Sequence, residues 1–210
     1  MLAAEAGWKL QAIIRAGRFH TVDEMAVLYK SKLLSFLEYR TSAIYHACDS
    51  HLRKVDALQA RFLKHLGISA REALDRLNLA PLSTRRDIAM LGVIHRSVLG
   101  LGPPQLASFF VRCEAREQPR TRQHVRRHRF QLVEPNAGMQ TALLRRSMLG
   151  LISVYNILPS SAVECSSVAD FQRALQSIVK GSLSSGSEMW EFILSPRQPM
   201  HAHPLRKLHV

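Results

Sequence analysis

Leu28 to Leu66, LYKSKLLSFLEYRTSAIYHACDSHLRKVDALQARFLKHL, decides the fold because it holds two long amphipathic segments. In the second segment, apolar residues recur three and four positions apart, which places them on one side of a helix. We expect Asp49 or Ser50 to cap its first turn and Gly67 to end it in the left-handed conformation. The stretch predicts a helical hairpin, and the second helix buries Leu52, Val55, Leu58, Phe62, Leu63 and Leu66.

The rest of the chain continues this helical pattern. A helix is expected over Met1 to Ala16, and capping boxes are predicted at Thr21 with Glu24 and at Ser69 with Glu72. Strand content is expected to be near zero, with one short extended segment around Phe130 to Val133. The predicted fold class is all-α, an irregular helical bundle with an internal Arg-rich arm and a disordered C-terminal tail. The main helices are predicted at 22–39, 50–66, 84–99, 142–158 and 167–180, with caps at Ser83 or Thr84 and at Ser166 or Ser167.

The same patterns predict which residues form the core. Tyr29, Tyr39 and Tyr45 lie at helical spacing, and we favour core packing over base stacking for all three. One shared core is expected to contain Leu33, Phe36, Leu58, Phe62, Leu91 and Ile94.

Composition divides the chain into four predicted parts. They are a helical lobe at 1–111, a basic arm or linker at 112–138, a second helical lobe at 139–183 and a flexible tail at 184–210. The tail contains His201, His203 and His209, which we interpret as incidental histidines because no Cys or acidic residue accompanies them.

The charge balance predicts a polyanionic partner. The chain has 29 Lys and Arg against 16 Asp and Glu, a formal net charge of +13 and a pI near 10.5. An anionic membrane surface would also attract such a protein. No apolar run reaches the roughly 20 residues of a membrane span, so a soluble intracellular protein, nuclear or cytoplasmic, is expected. Cys48, Cys113 and Cys165 are expected to be reduced thiols.

The predicted arm is the most basic segment. Pro119 and the absence of apolar periodicity argue against a continuous helix there, and a solubilising linker is the alternative to a phosphate-binding segment. Arginine at this density favours phosphate binding. The nucleic-acid-binding candidates in the arm are Arg112, Arg116, Arg120, Arg122, Arg126, Arg127 and Arg129, and those on the second hairpin helix are Arg53, Lys54, Arg61 and Lys64.

Arg85 and Arg86 are a further basic pair, in the first turn of a predicted helix. Cations there oppose the helix dipole, which makes the pair unusual for a structural start. Either a carboxylate such as Asp87 or Asp75, or a phosphate, would satisfy them. We favour a structural salt bridge.

Several of these segments, taken in order, resemble the region that follows the polymerase palm in LINE-type non-LTR retrotransposon reverse transcriptases. The matching pieces are Tyr29 to Tyr39, Leu52 to Leu63 with Gln59, and Leu77 to Arg86. SMLGLISVYNILPSSAVECSSVADFQRAL resembles the family's terminal block, with Tyr155 where tryptophan is usual. The resemblance extends from about Thr21 to Leu175. It implies the thumb and post-thumb part of a polymerase that binds RNA or DNA with low sequence specificity.

The residues that would carry polymerase catalysis are not in this sequence. A reverse transcriptase holds two metal ions between palm aspartates, whereas the six aspartates here are scattered and no two are adjacent. We therefore expect no enzymatic activity, no cofactor and no metal site, and we expect that the chain begins inside a larger polypeptide that carries the palm. The alternative is a free-standing basic helical scaffold that binds RNA, acidic partners or anionic membrane.

Overall fold

The computed structural model describes residues 2–113, 128–134 and 142–209. Regular structure in those ranges is helical, and extended segments pair there only at an isolated antiparallel bridge between Arg112 and Leu132. The all-α prediction is confirmed. The chain divides into two compact units, Met1–Arg86 and Asp87–Val210. The division falls inside a helix, whereas the predicted lobes were separated at the change of composition near Arg112.

The first unit is built on the predicted hairpin, with α1 packed against α5. A π-helical turn between α2 and α3 was not expected from the sequence. The elements are α1 (Leu2–Ala16), a 3-10 turn (Gly17–Phe19), α2 (Val22–Tyr29), the π-helical turn (Lys30–Leu34), α3 (Ser35–Tyr39), α4 (Thr41–Ile44), α5 (Asp49–Leu66), α6 (Ala70–Leu77) and the start of α7 (Leu82–Val98).

The helix ends of this unit follow local chemistry. Thr21 and Glu24 form the predicted capping box, in which the Thr21 amide donates to the Glu24 carboxylate at 2.7 Å. Gly67 ends α5 with φ +68°, as predicted. The cap predicted at the start of α5 is wrong, because Cys48 occupies that position and its side chain makes no capping hydrogen bond. The cap predicted for α7 is also wrong, since that helix begins at Leu82, before Ser83 and Thr84.

The core of the first unit contains two of the three tyrosines. The Tyr29 ring is fully buried and stacks on Phe62 with 4.3 Å between ring centroids, and Tyr45 is also buried. The prediction for Tyr39 is wrong, because its side chain is 87% exposed. Tyr39 follows the buried Leu37 by two residues, which turns it about 200° around the helix and out of the core.

The predicted single core is divided between the two units. Leu33, Leu58 and Phe62 share the core of the first unit, and Phe36 packs at its edge. Leu91 and Ile94 are buried too, but they follow Arg86 and belong to the second unit. Their placement in the same core as the hairpin residues was therefore wrong.

The second unit contains most of α7 and the helices that follow it. The prediction of one helix at 142–158 is wrong, because the helix is interrupted at Ser147, whose backbone is extended. The elements after α7 are α8 (Pro104–Ala107), α9 (Ala142–Arg145), a 3-10 turn (Met148–Gly150), α10 (Leu151–Asn156), α11 (Ser160–Val163), α12 (Val168–Ser184) and 3-10 turns at Trp190–Phe192, Met200–Ala202 and Pro204–His209.

A buried histidine lies at the centre of this unit. His95 is fully buried, and its ring stacks on Phe171 with 4.1 Å between centroids. Its Nε2 lies 3.0 Å from the Cys165 carbonyl oxygen, which can only accept, so Nε2 carries the proton. Its Nδ1 then accepts from the Tyr155 hydroxyl at 3.0 Å. The neutral ring therefore satisfies both partners, and burial lowers the pKa of His95 against a smaller opposing effect of the Cys165 hydrogen bond.

We expect the second unit to lose stability as the solution becomes acidic. The pKa of His95 is lowered by burial, so the unfolded chain takes up a proton at a higher pH than the folded chain does. The free energy of unfolding should therefore decline as the pH falls below about 6.5, the ordinary histidine pKa, until the lowered pKa is reached. Urea unfolding of His95→Gln should show a weaker pH dependence than the parent. His201→Gln, at an exposed position, serves as the control, and equal slopes in both variants would contradict the assignment.

The segment expected to be a flexible tail follows a defined path in the structure. Trp190, Ile193 and Leu194 are buried, as are Leu205 and His203. The apolar side chains among them gain by leaving water, and Pro199 and Pro204 stand at the starts of 3-10 turns. Composition indicated the breaks in helical structure here, and the apolar run from Met189 to Leu194 is of the kind that docks, whereas the burial of His203 and Leu205 was not indicated.

Candidate nucleic-acid interface

The exposed face of α5 carries four of the predicted nucleic-acid-binding residues. Its opposite face is fixed by the core, where Leu58 and Phe62 are buried. Because α5 is a continuous helix from Asp49 to Leu66, burial of one face leaves the remaining positions in solvent. The exposed cations are Arg53, Lys54, Arg61 and Lys64, as the helical pattern predicted.

These four cations have no carboxylate partner among the described residues. The described ion pairs involve other side chains, and the one acidic residue in the middle of α5, Asp56, is directed elsewhere. Asp56 receives two hydrogen bonds from the Arg86 guanidinium, at 2.7 and 2.9 Å. The face therefore keeps its positive charge, which makes it able to bind an anionic surface.

Arg85 and Arg86 have structural roles, and the favoured salt-bridge interpretation is confirmed. Their partners differ from the two that were named, Asp87 and Asp75. The Arg85 Nε donates to the Glu38 carboxylate at 2.6 Å, while the largely buried Arg86 forms its bidentate pair with Asp56. Both contacts bridge helices that are distant in sequence, so the pair holds the first turn of α7 in place.

Two arginines at the ends of the basic run, Arg112 and Arg129, lie among the described residues. Arg112 donates to the carbonyl oxygen of Val98, the last residue of α7, and its guanidinium lies 4.8 Å from the centre of the Phe130 ring. Arg129 lies over the same ring at 4.7 Å and its Nε is 3.9 Å from a Glu164 oxygen. Arg112 therefore caps a helix C-terminus, a role that its place in a basic run did not indicate.

Described residues near the two ends of the basic run, Arg112 to Arg129, lie side by side. The Cys113 amide donates to Gln131 at 2.8 Å, and the Val133 amide donates to Val111 at 2.9 Å. The chain therefore lies close together on the two sides of the segment 114–127. The predicted phosphate-binding residues within it lie outside the described residues, and these are Arg116, Arg120, Arg122, Arg126 and Arg127.

A cysteine beside the basic face has altered acidity, which sequence reasoning missed. The Cys48 sulfur lies 3.1 Å from the Ser50 hydroxyl and 2.7 Å from His51 Nδ1. These hydrogen bonds, that of Ser50 first, lower the pKa of the Cys48 thiol to about 6. A thiolate is therefore the main form near neutral pH. The available signal was the spacing of Cys48 and His51, three residues apart at the start of a helix.

Neither a metal-binding group of side chains nor a membrane-spanning helix is found in the parts of the chain that the structure describes. No group of three His, Cys, Asp or Glu side chains within the described ranges is arranged to hold a metal ion. None of the helices described has both the length and the apolar character that crossing a bilayer requires. Comparison of the chain with protein-family models, curated proteins and solved structures found no match.

Proposed function

We propose that this chain is a non-catalytic nucleic-acid-binding module, of the kind that follows the polymerase palm in LINE-type reverse transcriptases. The observation that carries the proposal is the exposed face of α5, whose four cations have no carboxylate partner among the described residues. The net charge of +13 and the all-α fold support it. A palm on the same parent polypeptide is the proposed protein partner.

The physical basis of this binding is the release of counterions. Each phosphate neutralised by Lys or Arg frees a condensed cation, so the affinity falls linearly with the logarithm of salt concentration. Four contacts on a duplex correspond to a slope of about −3.6. Lys and Arg side chains that contact phosphates position the protein without reading base edges, so sequence preference should be slight.

The test replaces the cationic face of α5 by neutral side chains. The variant Arg53→Gln, Lys54→Gln, Arg61→Gln, Lys64→Gln should flatten the salt dependence of nucleic-acid binding by about three units. The measurement is fluorescence anisotropy over a range of salt concentrations. The folded structure should be retained, because all four side chains are exposed.

A charge-matched control distinguishes the effect of this face on binding from the effect of the net charge. The control variant removes two arginines and two lysines from other elements, at Arg15, Arg18, Lys32 and Lys180. An equal loss of slope in both variants would contradict a localised interface. Binding to anionic vesicles without any binding to RNA or DNA would favour the free-standing scaffold instead.

A further inference from the structure

The cations of α5 form two rows with small residues between them. On a helix of 3.6 residues per turn, Arg53 and Lys64 lie within about 20° of each other around the axis. Lys54 and Arg61 also lie within about 20° of each other, about 80° further round. Ala57 falls in the gap between the rows and is exposed. The two rows extend over about 16 Å of the helix axis.

We propose that α5 lies in the major groove of B-form DNA, with one row of cations on each phosphate backbone. This inference rests on the proposed function and specifies the form of nucleic acid. A groove is bordered by phosphates on both sides, which matches two cation rows with a neutral line between them. The major groove of B-form DNA is about 12 Å wide and admits a helix of about 10–12 Å diameter.

The other forms of nucleic acid fit this face less well. The major groove of A-form RNA is deep and narrow and does not admit side chains. A single strand offers one line of phosphates, which would engage one row and leave the other in solvent. Single strands are also held by large aromatic side chains that stack on bases, and the exposed positions of α5 carry no Phe, Tyr or Trp.

The small residues between the rows define how the helix meets the groove. Ala57 allows the backbone of α5 to approach closely, since its methyl group adds little bulk. It also has no hydrogen-bonding group with which to contact base edges. Ser50, the second residue of α5, lies on nearly the same line and is short as well. The expected result is close, sequence-independent contact with both backbones.

The first experiment compares three forms of one sequence, as a DNA duplex, an RNA duplex and single-stranded DNA. The DNA duplex should bind at least about tenfold more tightly than either of the others at equal salt. Equal affinity for all three forms would overturn the groove assignment and leave the proposed function intact. Absence of salt-dependent binding to any of them would instead overturn the proposed function.

The second experiment identifies the groove. Glucosyl groups attached to the cytosines of a DNA duplex fill its major groove. Binding to such a duplex should weaken by about tenfold or more. Prior saturation of the minor groove with netropsin should leave the affinity unchanged. The reverse pattern would overturn the proposal.

A bulky residue between the two rows gives an independent test on the protein side. Ala57→Phe should weaken DNA-duplex binding by about tenfold, because the ring holds the helix away from the groove while every cation remains. Ala12→Phe introduces the same ring at an exposed position of α1 and should bind like the parent. Equal unfolding temperatures for the two variants would show that both are folded. Unchanged affinity of Ala57→Phe would overturn the proposal.

Discussion

Replacement of Phe62 by Ala should lower the free energy of unfolding of the first unit by about 3–5 kcal/mol. The Phe62 side chain is fully buried and lies nearly parallel to the Tyr29 ring, at 16°. Its removal loses the free energy gained when the ring is transferred out of water. It also leaves a cavity between α2 and α5 that the surrounding helices fill incompletely. Urea unfolding followed by far-ultraviolet circular dichroism measures the loss.

The matched control is Lys64→Ala, two residues further along the same helix. Alanine has a slightly better helix propensity than lysine and the Lys64 side chain is exposed, so the free energy of unfolding should change by less than about 0.5 kcal/mol. The same substitution should reduce the salt dependence of nucleic-acid binding, whereas Phe62→Ala should leave that slope unaltered while the unit stays folded. Similar stability losses at the two positions would mean that the faces of α5 are assigned wrongly.

The faces of the helices were predictable because they depend on local periodicity. In α5, Leu58 and Phe62 are four residues apart and must share a side, so the exposure of Arg61 and Lys64 follows from the pattern alone. The same reasoning placed Gly67 at a helix end, because only glycine adopts a positive φ without steric cost. The pattern did not show which residue takes the N-cap position of α5, because Cys48, Asp49 and Ser50 are adjacent there.

The break in the predicted helix at 142–158 shows where periodicity is insufficient. Ser147 is extended and its side chain accepts from the Leu149 amide, which competes with the helical hydrogen bond. Gly150 then packs so closely that a Cβ there would lie 2.5 Å from the Leu144 carbonyl oxygen. The apolar spacing of the segment is helical throughout, so the pattern did not reveal the interruption. Two local polar and steric contacts override it.

Pairs that are distant in sequence were beyond prediction. Asp56 and Arg86 are 30 residues apart, and His95 and Tyr155 are 60 residues apart. A single sequence indicates that a buried cation or imidazole needs a partner, but it does not indicate which of many carboxylates or hydroxyls supplies one. The candidate interface was easier to predict from the sequence, because an exposed cationic face needs no partner within the chain. Its charges could therefore be assigned before its surroundings were known.

Changing Arg120, Arg122, Arg126 and Arg127 to Gln should flatten the salt dependence of nucleic-acid binding by three or four units. The basic run from Arg112 to Arg129 has seven arginines opposed by two glutamates, which leaves a net charge of +5. About five phosphates neutralised on a duplex correspond to a slope near −4.5. The unfolding temperature should change little, because the sequence predicts a solvated arm, in which each charge contributes at most about 1 kcal/mol.

The same experiment shows how much the basic run and the α5 face each contribute to nucleic-acid binding. The basic run and α5 belong to different units of the chain, and we expect each to contribute its own phosphate contacts. The arm variant and the α5 variant each reduce the slope of log affinity against log salt. When the two sets of substitutions are combined, these reductions should add. An arm variant that binds RNA and DNA with the parent's salt dependence would show that the segment is only a linker. Binding would then depend on Arg53, Lys54, Arg61 and Lys64 alone, and the α5 variant should lose almost the entire salt dependence.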